Sequence, residues 1–256
     1  PEATLLFIKT DFFFNSLERA IRYAADHGAD VISMSLGAYS ENFYDGFDDW
    51  QSGDSETATY LQSAIDYAYN KDCVIVAAAG NEKTSHKSYP ACNNHVIGVG
   101  ALAKNSSTKA AGYSNFNSVS SRPGDNVNVD VAVTGTVYAP NFDKKTGDSS
   151  GYQETNGTSF ACPITAGAIA LYRSKYPEAS NAQVEQALFA SCDDIGDTGW
   201  DTTYGYGHVN VTSFLAAEPG VGPNPVTAVS FQSSGATLHI GDTYQLIPTF
   251  TPVNAD

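Results

Sequence analysis

Apolar residues recur every three or four positions in four segments, and this spacing predicts four helices. They run from Asn15 to Gly28, from Thr57 to Tyr69, from near Ser159 through Tyr172, and from Asn181 to Ser191. Asn15 is expected to cap the first helix, with Glu18 three positions later, and Gly28 to end it. In the second helix we expect the inward positions to be Leu61, Ile65 and Ala68.

Short apolar runs lie between these helical segments. They are VISM (31–34), CVIVAAA (73–79), VIGVGAL (96–102) and VNVDVAV (127–133). Continuous apolar strands alternating with helices indicate a parallel sheet covered on both faces. The predicted fold class is therefore α/β, with a mostly parallel sheet and helices on both faces. In such sheets, sites gather at the carboxyl ends of strands, where SLG follows VISM and GNE follows CVIVAAA.

The composition changes near residue 217. AEPGVGPNP is rich in proline and glycine, which is typical of a linker, and the segment after it reads as short β segments separated by turns. We predict a domain over residues 1–217, a linker over 218–225 and a truncated all-β module over 226–256.

Composition and charge exclude several classes of protein. With 256 residues, 42% hydrophobic and 16% charged, the chain can bury a large core and is neither disordered nor membrane-spanning. A net charge of -15 disfavours binding to nucleic acid.

The start has neither an initiator methionine nor a signal-peptide pattern, so we expect the chain to begin mid-protein. The cysteines lack zinc-ligand spacing and are expected to be buried thiols, with one or two disulfides as the alternative: Cys73, Cys92, Cys162 and Cys192.

Ser159 stands out in the stretch NGTSFACP. Gly157 and Thr158 favour a helix start, which places the serine in a first turn that has unpaired amide donors and a partial positive charge. That environment suits a nucleophile and the oxyanion that its attack creates. The alternative is an ordinary capping serine.

Three motifs in order resemble the subtilases, the subtilisin-like serine peptidases. NGTSFACP followed by ITAG resembles the family's serine motif, VISMSLG its substrate-binding strand, and VIVAAAGNE the strand and turn that carry its oxyanion asparagine. The resemblance covers roughly residues 1–217 and implies a serine endopeptidase acting on proteins or peptides. It implies that Ser159 is the nucleophile and that Asn81 donates its amide to the oxyanion. The substrate-binding residues that it implies are Ser35, Leu36, Gly37, Ala77, Ala78, Ala79 and Gly80.

The family's aspartate and histidine motifs are not visible in this chain. His27-Gly28 and Asp197-Thr198-Gly199 mimic them, but the first ends a helix and the second lies in a polar loop after the serine. We expect the two partners to lie upstream of Pro1, so that this chain alone is inactive. The alternative is a pseudopeptidase that serves as a binding or scaffold module.

Residues 39–56 contain six acidic and five aromatic residues with no lysine or arginine. Clustered carboxylates suit Ca²⁺, so this segment is a candidate calcium-binding or substrate-selecting loop, and a solvated acidic insertion is the alternative. No cofactor is expected for the chemistry itself, and no metal ligands are identified. The C-terminal segment resembles the start of a bacterial immunoglobulin-like domain, which implies a protein that is secreted or displayed on a bacterial surface.

Overall fold

A computed structural model describes residues 3–11, 13–39, 55–141, 147, 151–220, 226–231 and 248–252. Five helices lie within these ranges: α1 (Phe14–Asp26), α2 (Ser55–Tyr69), α3 (Thr158–Lys175), α4 (Asn181–Ala190) and α5 (Val211–Ala216). The strands of the first half are β1 (Val31–Met34), β2 (Ala38–Tyr39), β3 (Val74–Ala78), β4 (Ser88–Tyr89) and β5 (Val96–Leu102). Those of the second half are β6 (Val131–Thr134), β7 (Thr136–Asn141), β8 (Gly151–Asn156), β9 (Val226–Phe231) and β10 (Pro248–Pro252).

The central sheet has four parallel strands in the order β1-β3-β5-β6. Successive side chains of β3 point to opposite faces. Val74, Val76 and Ala78 pack with α3 and α4, whereas Ile75 and Ala77 pack with α1 and α2. The predicted α/β class, with helices on both faces of a parallel sheet, is confirmed.

The side chains that fill the core on the α1–α2 face include those predicted for the second helix. Leu61, Ile65 and Ala68 are all fully buried. Burial of a leucine or isoleucine side chain contributes about 1.5–3 kcal/mol, so these residues hold α2 on the sheet.

The ends of two elements differ from the prediction. Helix α1 begins at Phe14, and no side chain caps it, so Asn15 lies inside the helix rather than at its cap. Its other end is as predicted, because Gly28 has φ 74 just after His27.

The fourth predicted strand, 127–133, starts only at Val131. The side chain of Asn117 forms hydrogen bonds with both backbone groups of Val129, which are therefore not available to a neighbouring strand. Its amide donates to the carbonyl at 2.7 Å, and its oxygen accepts from the N–H at 2.9 Å.

Three features were not predicted from the sequence. Strands β2 and β4 form a two-residue antiparallel pair, and α5 is a six-residue helix. Strands β7 and β8 form a hairpin in which Thr136 pairs with Asn156. This hairpin matters for the site because a single residue, Gly157, separates the end of β8 from the start of α3.

An ion pair between a buried arginine and a half-exposed aspartate joins helix and sheet at the amino end of β3. The guanidinium of Arg173 donates to the Asp72 carboxylate at 2.8 Å and to the carbonyl of Ala179 at 2.6 Å. Asp72 also accepts from the N–H of Asn181 at 2.7 Å, the first residue of α4. This cluster therefore links α3, α4 and the turn before β3.

Two carboxyl groups, those of the half-buried residues Asp130 and Glu185, have no cation paired with them within the described residues. Burial raises the pKa of Asp130 to about 7, partly offset by the N–H of Gly98, which donates at 2.8 Å, and the charge of Glu185 adds to the rise. Burial likewise raises the pKa of Glu185 to about 7, and its Oε1 has no hydrogen-bond partner within the described part of the chain.

The C-terminal segment is described only at β9 and β10, which pair antiparallel. The assignment of residues 226–256 to an immunoglobulin-like module and the boundaries at 217 and 225 stay predictions. Most of the acidic segment, from residue 40 to residue 54, lies outside the described residues.

Candidate active site

The site lies where β1 and β3 end. These strands are adjacent and parallel, with Met34 opposite Ala77, so the residues that follow them leave the sheet at the same edge. Helix α3 packs against both strands. Ser35 and Asn81 are thereby brought to the first turn of α3, at the carboxyl edge where α/β folds place their sites.

Gly157 sets the direction in which α3 begins. It is the N-cap residue, with φ 148, a conformation that side chains other than glycine rarely adopt. Its N–H donates to the carbonyl of Gly135 at 3.0 Å, which ties the helix start to the end of β6. Ser159 is the second residue of this 18-residue helix, in the first turn as predicted. Its N–H has no acceptor within the helix and sees the positive end of the helix dipole.

Asn81 is held directly against this first turn. Its Oδ1 accepts from the N–H of Thr158 at 2.8 Å and from the Thr158 hydroxyl at 3.0 Å. The same hydroxyl accepts from the N–H of Gly80 at 3.1 Å. Because two donors occupy the side-chain oxygen, the NH₂ group is the end left for a ligand, and no hydrogen bond in the described part of the chain uses it.

Ser35 and Ser159 are linked by a reciprocal pair of contacts. The Ser35 hydroxyl donates to the carbonyl of Ser159 at 2.7 Å, and the Ser159 hydroxyl donates to the carbonyl of Ser35 at 3.4 Å. The second contact is long and therefore weak. The Ser159 residue is partly exposed, and its weakly bound hydroxyl is free to turn toward a ligand.

The remaining predicted substrate-binding residues divide into two groups. Gly37 is exposed and Leu36 is half-buried, and a side chain at Gly37 would lie 2.8 Å from the Ser88 hydroxyl. Ala77, Ala78 and Ala79 are buried, and Gly80 is partly so. The methyl groups of Ala77 and Ala78 belong to the two cores, so these two residues contribute to any pocket through backbone atoms.

Two residues that organise the turn were missed in the sequence analysis. The side-chain oxygen of Asn115 accepts from the N–H groups of Glu82 and Thr84 at 3.1 and 3.2 Å, and its amide donates to the carbonyl of Ala79 at 2.8 Å. Glu82 accepts from the N–H of Asn81 at 2.7 Å. Glu82 was visible in the GNE motif, but no local signal distinguishes Asn115 from an ordinary loop asparagine.

Cys162 is the other nucleophilic side chain in this part of α3. It is fully buried, and burial raises the pKa of its thiol, which holds the sulfur in its unreactive neutral form. Its sulfur lies 3.6 Å from the carbonyl of Val76, beneath the sheet edge. Of these two side chains, only that of Ser159 is accessible to a ligand.

A serine hydroxyl at a helix start, beside an anchored carboxamide at the carboxyl edge of a parallel sheet, has the parts needed to form and stabilise an oxyanion. The chain belongs to the Subtilase family, whose model matches residues 1–207.

Individual relatives agree with this assignment. Subtilisin DY of Bacillus licheniformis is 34% identical over 203 residues, which cover 77% of this chain and 61% of that protein. Thermitase of Thermoactinomyces vulgaris is 33% identical over 216 residues, with 82% of this chain and 64% of that protein covered. The chain thus spans less than two thirds of either relative.

The fold comparison gives the same result. Sphericase matches with a TM-score of 0.64 at 27% identity, covering 78% of this chain and 64% of that chain. A lanthipeptide protease matches with a TM-score of 0.64 at 24% identity, and this likeness shows the fold alone. Among the helices of the described ranges, none is both long enough and apolar enough to cross a membrane.

Proposed function

We propose that this chain is part of a serine endopeptidase that hydrolyses peptide bonds through an acyl-enzyme on Ser159. The observation that carries the proposal is the pair of hydrogen bonds from Thr158 to the Asn81 oxygen, which hold the Asn81 amide beside the nucleophile. The Ser159 oxygen attacks the peptide carbonyl. The oxyanion then accepts hydrogen bonds from the Asn81 NH₂ and from the N–H of Ser159.

The substrate is a peptide or protein in an extended conformation. Backbone groups of Ser35, Leu36 and Gly37, next to the end of β1, are available to an added strand, which is a common mode of peptide recognition. The exposure of Ser35 and Gly37 supports this binding mode.

The reaction also needs a base. Within the described residues the Ser159 hydroxyl contacts the Ser35 carbonyl and no histidine. His27 is the C-cap residue of α1 and its Nδ1–H donates to the carbonyl of Tyr23, and His95 stacks on Tyr69. We therefore propose that the base and its orienting acid come from polypeptide outside the described residues.

This missing contact is also what favours the second candidate function. A chain with the nucleophile and the oxyanion donor but no base would bind peptides without cleaving them, as a pseudopeptidase that acts as a binding or scaffold module. Both candidates share the Ser35–Gly37 edge, and they differ in the reactivity of Ser159.

Treating the natural polypeptide that carries this chain with a fluorophosphonate probe separates the two candidates. The peptidase predicts labelling that maps to Ser159 by mass spectrometry, is lost in Ser159→Ala, and is strongly slowed in Asn81→Ala. Removal of an oxyanion donor lowers the rate about 10²–10³-fold. Asn94→Ala, at an exposed asparagine just before β5, is the matched control and should label normally. If Ser159 is not labelled but the polypeptide still binds peptides, the pseudopeptidase is the correct candidate.

We further propose that the protein is secreted or displayed on a bacterial surface, with residues 226–256 opening an immunoglobulin-like module and residues 39–56 binding Ca²⁺. Relatives from Bacillus and Thermoactinomyces support a bacterial origin. Deletion of everything after Ala217 from the natural polypeptide should leave peptide cleavage intact.

A further inference from the structure

Helix α3 contains a proline four residues after the candidate nucleophile. In a regular helix the N–H of residue i+4 donates to the carbonyl of residue i. Pro163 has no N–H, so the carbonyl of Ser159 lacks its helical partner. The missing hydrogen bond is thus at Ser159, the residue whose geometry matters most for the proposed chemistry.

A side chain from a distant part of the chain supplies a hydrogen bond to this carbonyl instead. The Ser35 hydroxyl, one residue beyond β1, donates to the Ser159 carbonyl at 2.7 Å, a distance typical of a well-formed hydrogen bond. It is far shorter than the return contact from the Ser159 hydroxyl to the Ser35 carbonyl, which measures 3.4 Å.

We propose that Ser35 is a positioning residue, whose hydroxyl replaces the hydrogen bond that Pro163 cannot donate and thereby holds the first turn of α3 in its reactive orientation. The first turn of α3 is then held by residues that follow two different strands. Asn81, after β3, accepts from the N–H of Thr158, and Ser35, after β1, donates to the carbonyl of Ser159. Between these contacts the Ser159 N–H and hydroxyl stay available to a ligand.

This inference rests on the proposed function for its effect on catalysis. Ser35 is exposed in the free chain, so water can solvate the Ser159 carbonyl if the hydroxyl is removed. A peptide added along residues 35–37 excludes that water, and an unpaired carbonyl then becomes costly. The Ser35 hydroxyl should therefore matter more with substrate bound, and its loss should lower kcat more than it raises KM.

The test uses a double-mutant cycle in the natural polypeptide. Ser35→Ala should slow fluorophosphonate labelling of Ser159 about three- to tenfold, the range that one hydrogen bond supports. Ser35→Thr retains the hydroxyl and should keep most of the rate. Pro163→Ala restores an N–H at position i+4, so Ser35→Ala should cost much less in that background than in the wild type. Ser33→Ala is the matched control, because the Ser33 hydroxyl faces the Cys162 sulfur at 3.5 Å rather than a carbonyl of α3.

Amide hydrogen exchange gives a readout that does not depend on reactivity. Ser35→Ala should speed exchange in residues 158–162, and Pro163→Ala should restore protection in the double variant. If the wild type is not labelled at all, the proposed function fails, and this exchange measurement alone decides the inference. Ser35→Ala behaving like Ser33→Ala in both assays, or no rescue by Pro163→Ala in either, would overturn it.

Discussion

The Thr158 hydroxyl offers the sharpest test of how the site is assembled. It donates to the Asn81 oxygen at 3.0 Å and accepts from the N–H of Gly80 at 3.1 Å, in a fully buried position that water does not reach. Thr158→Val keeps the shape of the side chain but removes both bonds. One net hydrogen bond contributes about 0.5–1.5 kcal/mol, and a buried N–H left without a partner costs about 1–3 kcal/mol.

We therefore expect Thr158→Val to lower the free energy of unfolding by about 2–3 kcal/mol. For a domain of this size this corresponds to a fall in Tm of about 5–10 °C. Urea unfolding followed by circular dichroism measures the loss, and Thr158→Ser, which retains the hydroxyl, is the control. Labelling of Ser159 should slow in Thr158→Val as well, because Asn81 loses one of its two anchors. If Thr158→Val proves as stable as Thr158→Ser, the hydroxyl does not join the Asn81 turn to α3, and the account of the site is wrong.

Three further predictions concern stability. Because the pKa values of Asp130 and Glu185 are raised to about 7, the folded protein holds more protons than the unfolded chain between about pH 5 and 7. Stability should fall by about 1.4 kcal/mol per pH unit per group as the pH rises through this window. Unfolding of Asp130→Asn/Glu185→Gln at pH 5 and 7 should show a smaller fall than the wild type, and equal falls would refute it. Arg173→Met removes the bond to the half-exposed Asp72 carboxylate and the buried bond to the Ala179 carbonyl, and should cost about 1–3 kcal/mol in urea unfolding, whereas an unchanged stability would mean that these bonds contribute little. Gly157→Ala, at φ 148, should cost about 1–3 kcal/mol of backbone strain without creating a clash, and a neutral result would contradict the strained start of α3.

Much of the fold followed from local pattern. The strand VIGVGAL was predicted with its observed bounds, and the inward face of the second helix was correct at Leu61, Ile65 and Ala68. One error, in the start of a strand, has a non-local cause. The strand expected from Val127 starts four residues later because Asn117 binds both backbone groups of Val129.

The candidate site was predictable in its parts but not in its connections. The helix start at Ser159 could be inferred from Gly157 and Thr158, and Asn81 from its place after an apolar strand. Asn115 could not be found in this way, because its importance depends on contacts with Ala79, Glu82 and Thr84, more than 30 positions away.

The sequence by itself determined the α/β class, the two-sided burial of the sheet and the presence of a serine at a helix start, since each depends on residue spacing within one segment. Only the tertiary structure decided which groups hold that serine. The contact of Asn81 with Thr158 joins residues 77 positions apart, and that of Ser35 with Ser159 joins residues 124 positions apart. Such contacts form because parallel strands bring their carboxyl ends to one edge, and no local pattern records which side chains meet there.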